Sequence, residues 1–86
     1  MLKLKKFAEN IDIRMDVRLF LCFDIVKCFS RQDVFNRAQV DLEFEFHGPK
    51  AITRALKSLV DGNWIKKMGR GVYMVNSDRV NEVCAK

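Results

Sequence analysis

Lys50, Thr53, Arg54 and Lys57 recur every three or four residues, with Lys66, Lys67 and Arg70 close behind. That is the spacing that stacks side chains on one face of a helix. Ammonium groups placed so could neutralise phosphates, and an arginine fork mid-face could grip guanine O6 and N7 through two parallel hydrogen bonds. The charge distribution points the same way. The 86 residues carry 16 Lys+Arg against 11 Asp+Glu, a formal net charge of +5. Residues 1–47 cancel eight basic against eight acidic side chains, and residues 76–86 set Arg79 and Lys86 against Asp78 and Glu82. The whole surplus therefore lies in 48–75, where Lys50, Arg54, Lys57, Lys66, Lys67 and Arg70 face only Asp61. A segment of that kind favours a polyanionic partner.

Other chemistry has less to work with. His47 is the only histidine, so a zinc site would need further ligands at suitable spacing and a His-based nucleophilic triad would rest on that one residue alone. Cys22, Cys28 and Cys84 are odd in number and form no C-x-x-C pair, which reads as three buried small hydrophobes in a reducing cytoplasm. Gly69-Arg70-Gly71 is a turn signal and not a phosphate loop of Walker or Rossmann spacing. Asp41, Glu43 and Glu45 could hold a divalent cation or meet a basic partner, but a lone acidic stretch supplies few converging ligands and reads as a solvated face. Trp64 and Tyr73 could stack on unpaired bases, yet beside Leu56 and Leu59 they read as core. No enzyme and no cofactor are expected.

The elements that must position the cations follow from the periodicity. At ~100° per residue, Ala51, Ile52, Ala55, Leu56, Leu59 and Val60 fill one half of a helical wheel. Lys50, Thr53, Arg54, Lys57, Ser58 and Asp61 fill the other half. This predicts a helix over 49–61, opened by Gly48-Pro49 and closed by Gly62 as a left-handed cap. Residues 63–68 and 72–75 are runs with strand-type residues around Gly69-Arg70-Gly71, a β-hairpin with a basic tip. Val34-Phe35 is expected to pair with that hairpin, and Asn36 to cap a short helix over Arg37–Leu42 or as far as Glu43. Phe44–His47 then forms the turn before the cationic helix.

Upstream, residues 12–28 read as a long helix starting near Asp12, with Met15, Leu19, Cys22, Val26 and Phe29 in one stripe and Val17, Phe20, Leu21 and Cys28 on other sides. A helix apolar on nearly all sides needs cover from several directions, so a homodimer through it and the N-terminal segment is expected. After Asn76 one or two further helical turns are expected, with Ser77 as cap. At 86 residues the chain has room for one small domain. Lys3, Lys5 and Lys6 give way to Glu9, Asn10 and Asp12 before a signal-peptide core can form. The longest apolar run, Leu19–Phe23, is far below the ~20 residues that span a bilayer, so a cytoplasmic chain with no membrane contact is expected.

These readings combine into an α+β winged helix-turn-helix with a three-helix core and a C-terminal hairpin wing. Residues 1–29 form an extra N-terminal segment and first helix, 30–75 the helix-turn-helix and wing, and 76–86 a tail. In that arrangement the helix at 49–61 enters a major groove of double-stranded DNA and the wing at 64–75 reaches flanking backbone or minor groove. Thr53 and Arg54 are assigned to base edges, Lys50, Lys57, Lys66 and Lys67 to phosphates, and Arg70 to the narrow groove or backbone. The alternatives are a protein-interaction adaptor on the same scaffold, using the first helix and the acidic stretch, and an architectural protein that binds duplexes without sequence preference.

The runs Val34-Phe35-Asn36-Arg37-Ala38, Ala51–Val60 and Gly62-Asn63-Trp64-Ile65-Lys66-Lys67-Met68-Gly69-Arg70-Gly71-Val72-Tyr73 carry a resemblance. Over roughly residues 30–75 the chain resembles the N-terminal winged helix of the AbiEi-type antitoxins of type IV toxin–antitoxin systems and related small plasmid or phage regulators. Those antitoxins bind repeats in their own promoter through this domain and oppose a nucleotidyltransferase toxin through a larger C-terminal domain. The resemblance implies transcriptional regulation by DNA binding. It carries over nothing of the toxin-opposing half, for which these 86 residues have no counterpart. The stretch Asp41–Gly48 is also a few residues longer than the family's turn.

Overall fold

The half-and-half wheel of residues 50–61 becomes helix α4, Gly48–Asp61, with Pro49 in its first turn where no amide hydrogen bond is lost. Ile52, Ala55, Leu56 and Leu59 are buried, whereas Lys50, Thr53, Arg54, Lys57 and Asp61 are exposed. The computed structural model describes residues 2–11, 17–32 and 34–84. Among them it is an α+β chain of five α-helices and a three-stranded antiparallel sheet. Its Cα radius of gyration, 11.8 Å, is that of a close-packed chain of this length, about 12 Å.

The end of α4 corrects the expected cap. Gly62 has φ −88°, and the left-handed residue is Asn63 at φ 63°. Asparagine tolerates that region because its short polar side chain can bond locally. Glycine is needed at 62 for space, since a Cβ there would lie 3.1 Å from Trp64 Cδ1. Trp64 folds back under the helix, its amide bonded to Leu59 O at 2.9 Å, and is wholly buried.

The sheet is ordered β1 (Phe35–Asn36), β3 (Val72–Val75), β2 (Ile65–Gly69). Phe35 pairs with Tyr73 and Asn36 with Val72, one residue later than expected for the first strand. Asn36 serves twice, ending β1 and capping α3 (Arg37–Glu43): it exchanges hydrogen bonds with Gln39 at 2.9 Å in both directions, a complete capping box. In the hairpin Ile65 pairs with Val75, Lys66 with Met74 and Lys67 with Tyr73, followed by a bulge around Met68. Gly71, at φ 71°, supplies the positive dihedral that the tip requires. Because successive strand residues point to opposite faces, Ile65, Lys67, Tyr73, Val75 and Phe35 share the inner face, and Lys66, Met74, Val72 and Asn36 the outer one.

Helix α2 (Val17–Phe29) buries Leu19, Leu21, Cys22, Ile25, Val26 and Phe29, and its expected start near Asp12 lies outside the described residues. Cys22 lets α2 approach α4 closely, donating its thiol to Ala55 O at 3.6 Å. Cover on another side comes from α1 (Leu4–Glu9), an element the sequence reading left unassigned. Its Phe7 is wholly buried, with ring centroids 5.6 Å from Phe23 and 4.7 Å from Trp64. Among the described residues of α2 the exposed large apolar side chains are Val17 and Phe20.

Two smaller expectations change. Cys22 is buried, but Cys28 and Cys84 are exposed; all three are free thiols. The last helix, α5 (Ser77–Cys84), is capped one residue earlier than expected, by Asn76, whose carbonyl accepts from Val80 N at 3.1 Å. Asn76 is held there because its Nδ2 donates to Asn63 O at 2.8 Å and its amide to Trp64 O at 2.9 Å. Among the described residues no helix is long and apolar enough to cross a membrane.

Candidate nucleic-acid interface

Helix α4 and the hairpin meet along a groove of about 250 Å³ lined by Arg37, Thr53, Lys57, Asp61, Lys67 and Tyr73, with Leu56 and Val60 behind them. A second depression at the start of α4 is formed by Pro49, Lys50, Thr53 and Arg54. Thr53 belongs to both, so the surface runs unbroken from Lys50 through Arg54 and Lys57 to Lys67. Its floor is packed on the core: Leu56 on α4 is buried, and Tyr73 is stacked against buried Phe35 with centroids 5.7 Å apart.

The seven predicted residues do not all fall on this surface. Lys67, on the sheet's inner face, borders α4. Lys66 is on the outer face, in a separate hollow with Ser30, Arg31, Met74 and Asp78. Arg70 is exposed at the hairpin tip, beyond the end of the groove. Lys66 and Lys67 were expected to share one role, and the two-residue period of the strand splits them.

Arg37 is the residue that the sequence reading missed. Its Nε donates to Asp41 Oδ1 at 2.8 Å, its Nη1 to Thr53 Oγ1 at 2.9 Å and its Nη2 to Pro49 O at 2.9 Å. One guanidinium thus ties α3 to the first two turns of α4, while the Arg37 amide bonds Gly71 O at 2.9 Å and so reaches the hairpin tip as well. Counting charges by segment hid it, because Arg37 was cancelled by the surrounding carboxylates. The signal available was the Arg37/Asp41 spacing of four residues within one helix.

This clamp fixes the hydrogen-bond polarity of Thr53. Its hydroxyl proton goes to Pro49 O at 2.8 Å, and one lone pair receives Arg37 Nη1. The remaining lone pair can only accept. Arg37 and Asp41 form an ion pair, and with side chains 31% and 48% exposed its contribution to stability is small. Among the described residues Lys50, Arg54, Lys57, Lys66, Lys67 and Arg70 enter no ion pair. Among the described residues no group of three or more His, Cys, Asp or Glu side chains is arranged to hold a metal ion.

No protein-family model, curated protein or solved structure matches this chain. What the surface can do rests on its own geometry. It is an elongated ridge of cations above an apolar, wedged helix, with a hydroxyl acceptor near its middle and a carboxylate, Asp61, at its far end.

Proposed function

We propose that this chain is a winged helix-turn-helix that binds double-stranded DNA and regulates transcription, with α3 and α4 as the helix-turn-helix pair and β2–β3 as the wing. Helix α4 lies in the major groove, Lys50, Lys57 and Lys67 contact phosphates, and Arg70 reaches the flanking backbone or minor groove. Arg54, exposed mid-face, reads a guanine edge. Thr53 accepts from a base-edge donor, which in the major groove means adenine N6 or cytosine N4. The observation that carries this reading is the continuity of Lys50, Thr53, Arg54, Lys57 and Lys67 across one helix face and the adjoining hairpin, with none of these lysines or Arg54 paired to a carboxylate among the described residues.

The experiment is a fluorescence-anisotropy titration with pooled genomic fragments and with random duplex at two salt concentrations. Binding that favours a subset of fragments and falls steeply with salt is the expected result. Equal binding to all duplexes moves the reading to an architectural protein, and no binding at low salt removes nucleic acid as the partner.

A further inference from the structure

Phe46 is 97% exposed, the most open of the large apolar side chains among the described residues, and Leu42 is second at 73%. The cause is local. Phe44 packs against the core and meets the His47 ring at 6.3 Å, so the 3₁₀ turn Glu45–His47 points its middle residue outward. Exposed Glu43 and Glu45 flank this knob. An aromatic and an aliphatic side chain left in water and rimmed with carboxylates are unfavourable in isolation and mark a contact surface.

The same chain carries a hollow of the opposite character. A cleft of about 620 Å³ lies between the C-terminal end of α2, helix α5 and Leu2, with Val26, Val75 and Val80 on its floor. Lys27 and Arg31 stand on its rim, and no carboxylate is among the described residues that line it. Lys27 is held over the Phe23 ring at 5.4 Å from its centroid. The volume suits an inserted aromatic ring with an aliphatic neighbour, falling within the ~300–1,000 Å³ of ordinary ligand clefts. Knob and cleft are also near each other: Gln39, one helical turn before Glu43 on α3, donates its Nε2 to Gln32 Oε1 at 3.5 Å, and Gln32 directly follows Arg31 on the cleft rim. A two-fold pairing needs both halves of the contact on one side of the molecule, so that each copy gives and receives the same group.

We infer that a second copy of this chain seats Phe46 and Leu42 in the Leu2/Val26/Val75/Val80 cleft, with Glu43 and Glu45 against Lys27 and Arg31, and that the contact is returned reciprocally. The cleft shares no lining residue with the Arg37–Lys67 groove or with the Pro49–Arg54 depression. Phe46 stands two residues before α4 begins, and the pairing therefore fixes how far apart the two α4 helices sit. This inference does not depend on the duplex-binding reading, because it is tested without DNA.

Sedimentation equilibrium of the full chain from low to high micromolar concentration is expected to show a monomer–dimer equilibrium. Phe46→Ser, at a position too exposed to matter for folding, is expected to weaken the dimer about thirtyfold or more, as loss of a central aromatic anchor does. Lys27→Glu is expected to weaken it too, and combination with Glu43→Lys and Glu45→Lys to restore much of the loss, with circular dichroism confirming that each variant folds. Phe46→Cys under mild oxidation is expected to give an intermolecular disulfide to Cys28 or Cys84, located by peptide mass spectrometry. A monomer at the highest concentration, or a dimer untouched by Phe46→Ser, overturns the inference.

Discussion

Lys66 and Lys67 offer a sharp test, because adjacent residues of the same type are assigned different parts by geometry alone. Lys67 borders the α4 groove, and Lys66 lies across the sheet beside Arg31 and Asp78. Each phosphate neutralised in a B-form duplex contributes about −0.9 to the slope of log K against log salt. Lys67→Ala should therefore flatten the slope by about 0.9 and, at 0.1 M salt, lower affinity roughly eightfold, since one released counterion scales K by salt to that power. Lys66→Ala should change the slope by less than about 0.3, because its charge sits on the far side of the sheet and is screened over about 10 Å at that salt. Both side chains are exposed, so stability should move by no more than about 0.5 kcal/mol. The assay is anisotropy with one labelled duplex at four or more salt concentrations, run in parallel on both variants. Equal slope changes, or a larger change for Lys66, would refute the separation of faces on which the interface rests.

Thr53→Val removes a hydroxyl that is committed on two sides; binding-site selection should show lost preference for adenine or cytosine at one position, with affinity for the selected site down about fivefold, the worth of one hydrogen bond. Phe7→Ala empties a wholly buried site between Phe23 and Trp64 and should cost about 3–5 kcal/mol in urea unfolding, a large part of the total stability expected for a chain this short. Gly62→Ala should cost about 1–3 kcal/mol by pressing a methyl onto Trp64, whereas Asn63→Gly, at a positive φ, should stay within about 0.5 kcal/mol of the parent in the same assay.

Local rules carried the sequence reading wherever one element decides its own form. Helix α4 buries the half of the wheel assigned to the core, Asn36 caps α3 through the expected side chain, and the hairpin turns at Arg70-Gly71. What stayed hidden depends on partners distant in sequence. Helix α1 has only six residues, too few for periodicity to register, and exists because Phe7 has Phe23 and Trp64 to pack against. The role of Gly62 depends on where Trp64 folds, and that of Arg37 on the carbonyl of Pro49 and the hydroxyl of Thr53, twelve and sixteen residues away. The candidate site was legible in its residue types. Its membership was not, since only the pairing register of β2 with β3 decides which of two lysines faces α4.

The central claim, one cationic ridge shaped for duplex DNA, is tested most directly by mapping the contact residue by residue. In two-dimensional amide NMR of the labelled chain titrated with duplex DNA, the account predicts shifts concentrated at residues 49–58, at Arg37 and at 67–71. Residues 26–32 and 77–84, on the opposite side, should remain still. Shifts centred on that opposite side, or spread evenly over both, would contradict it.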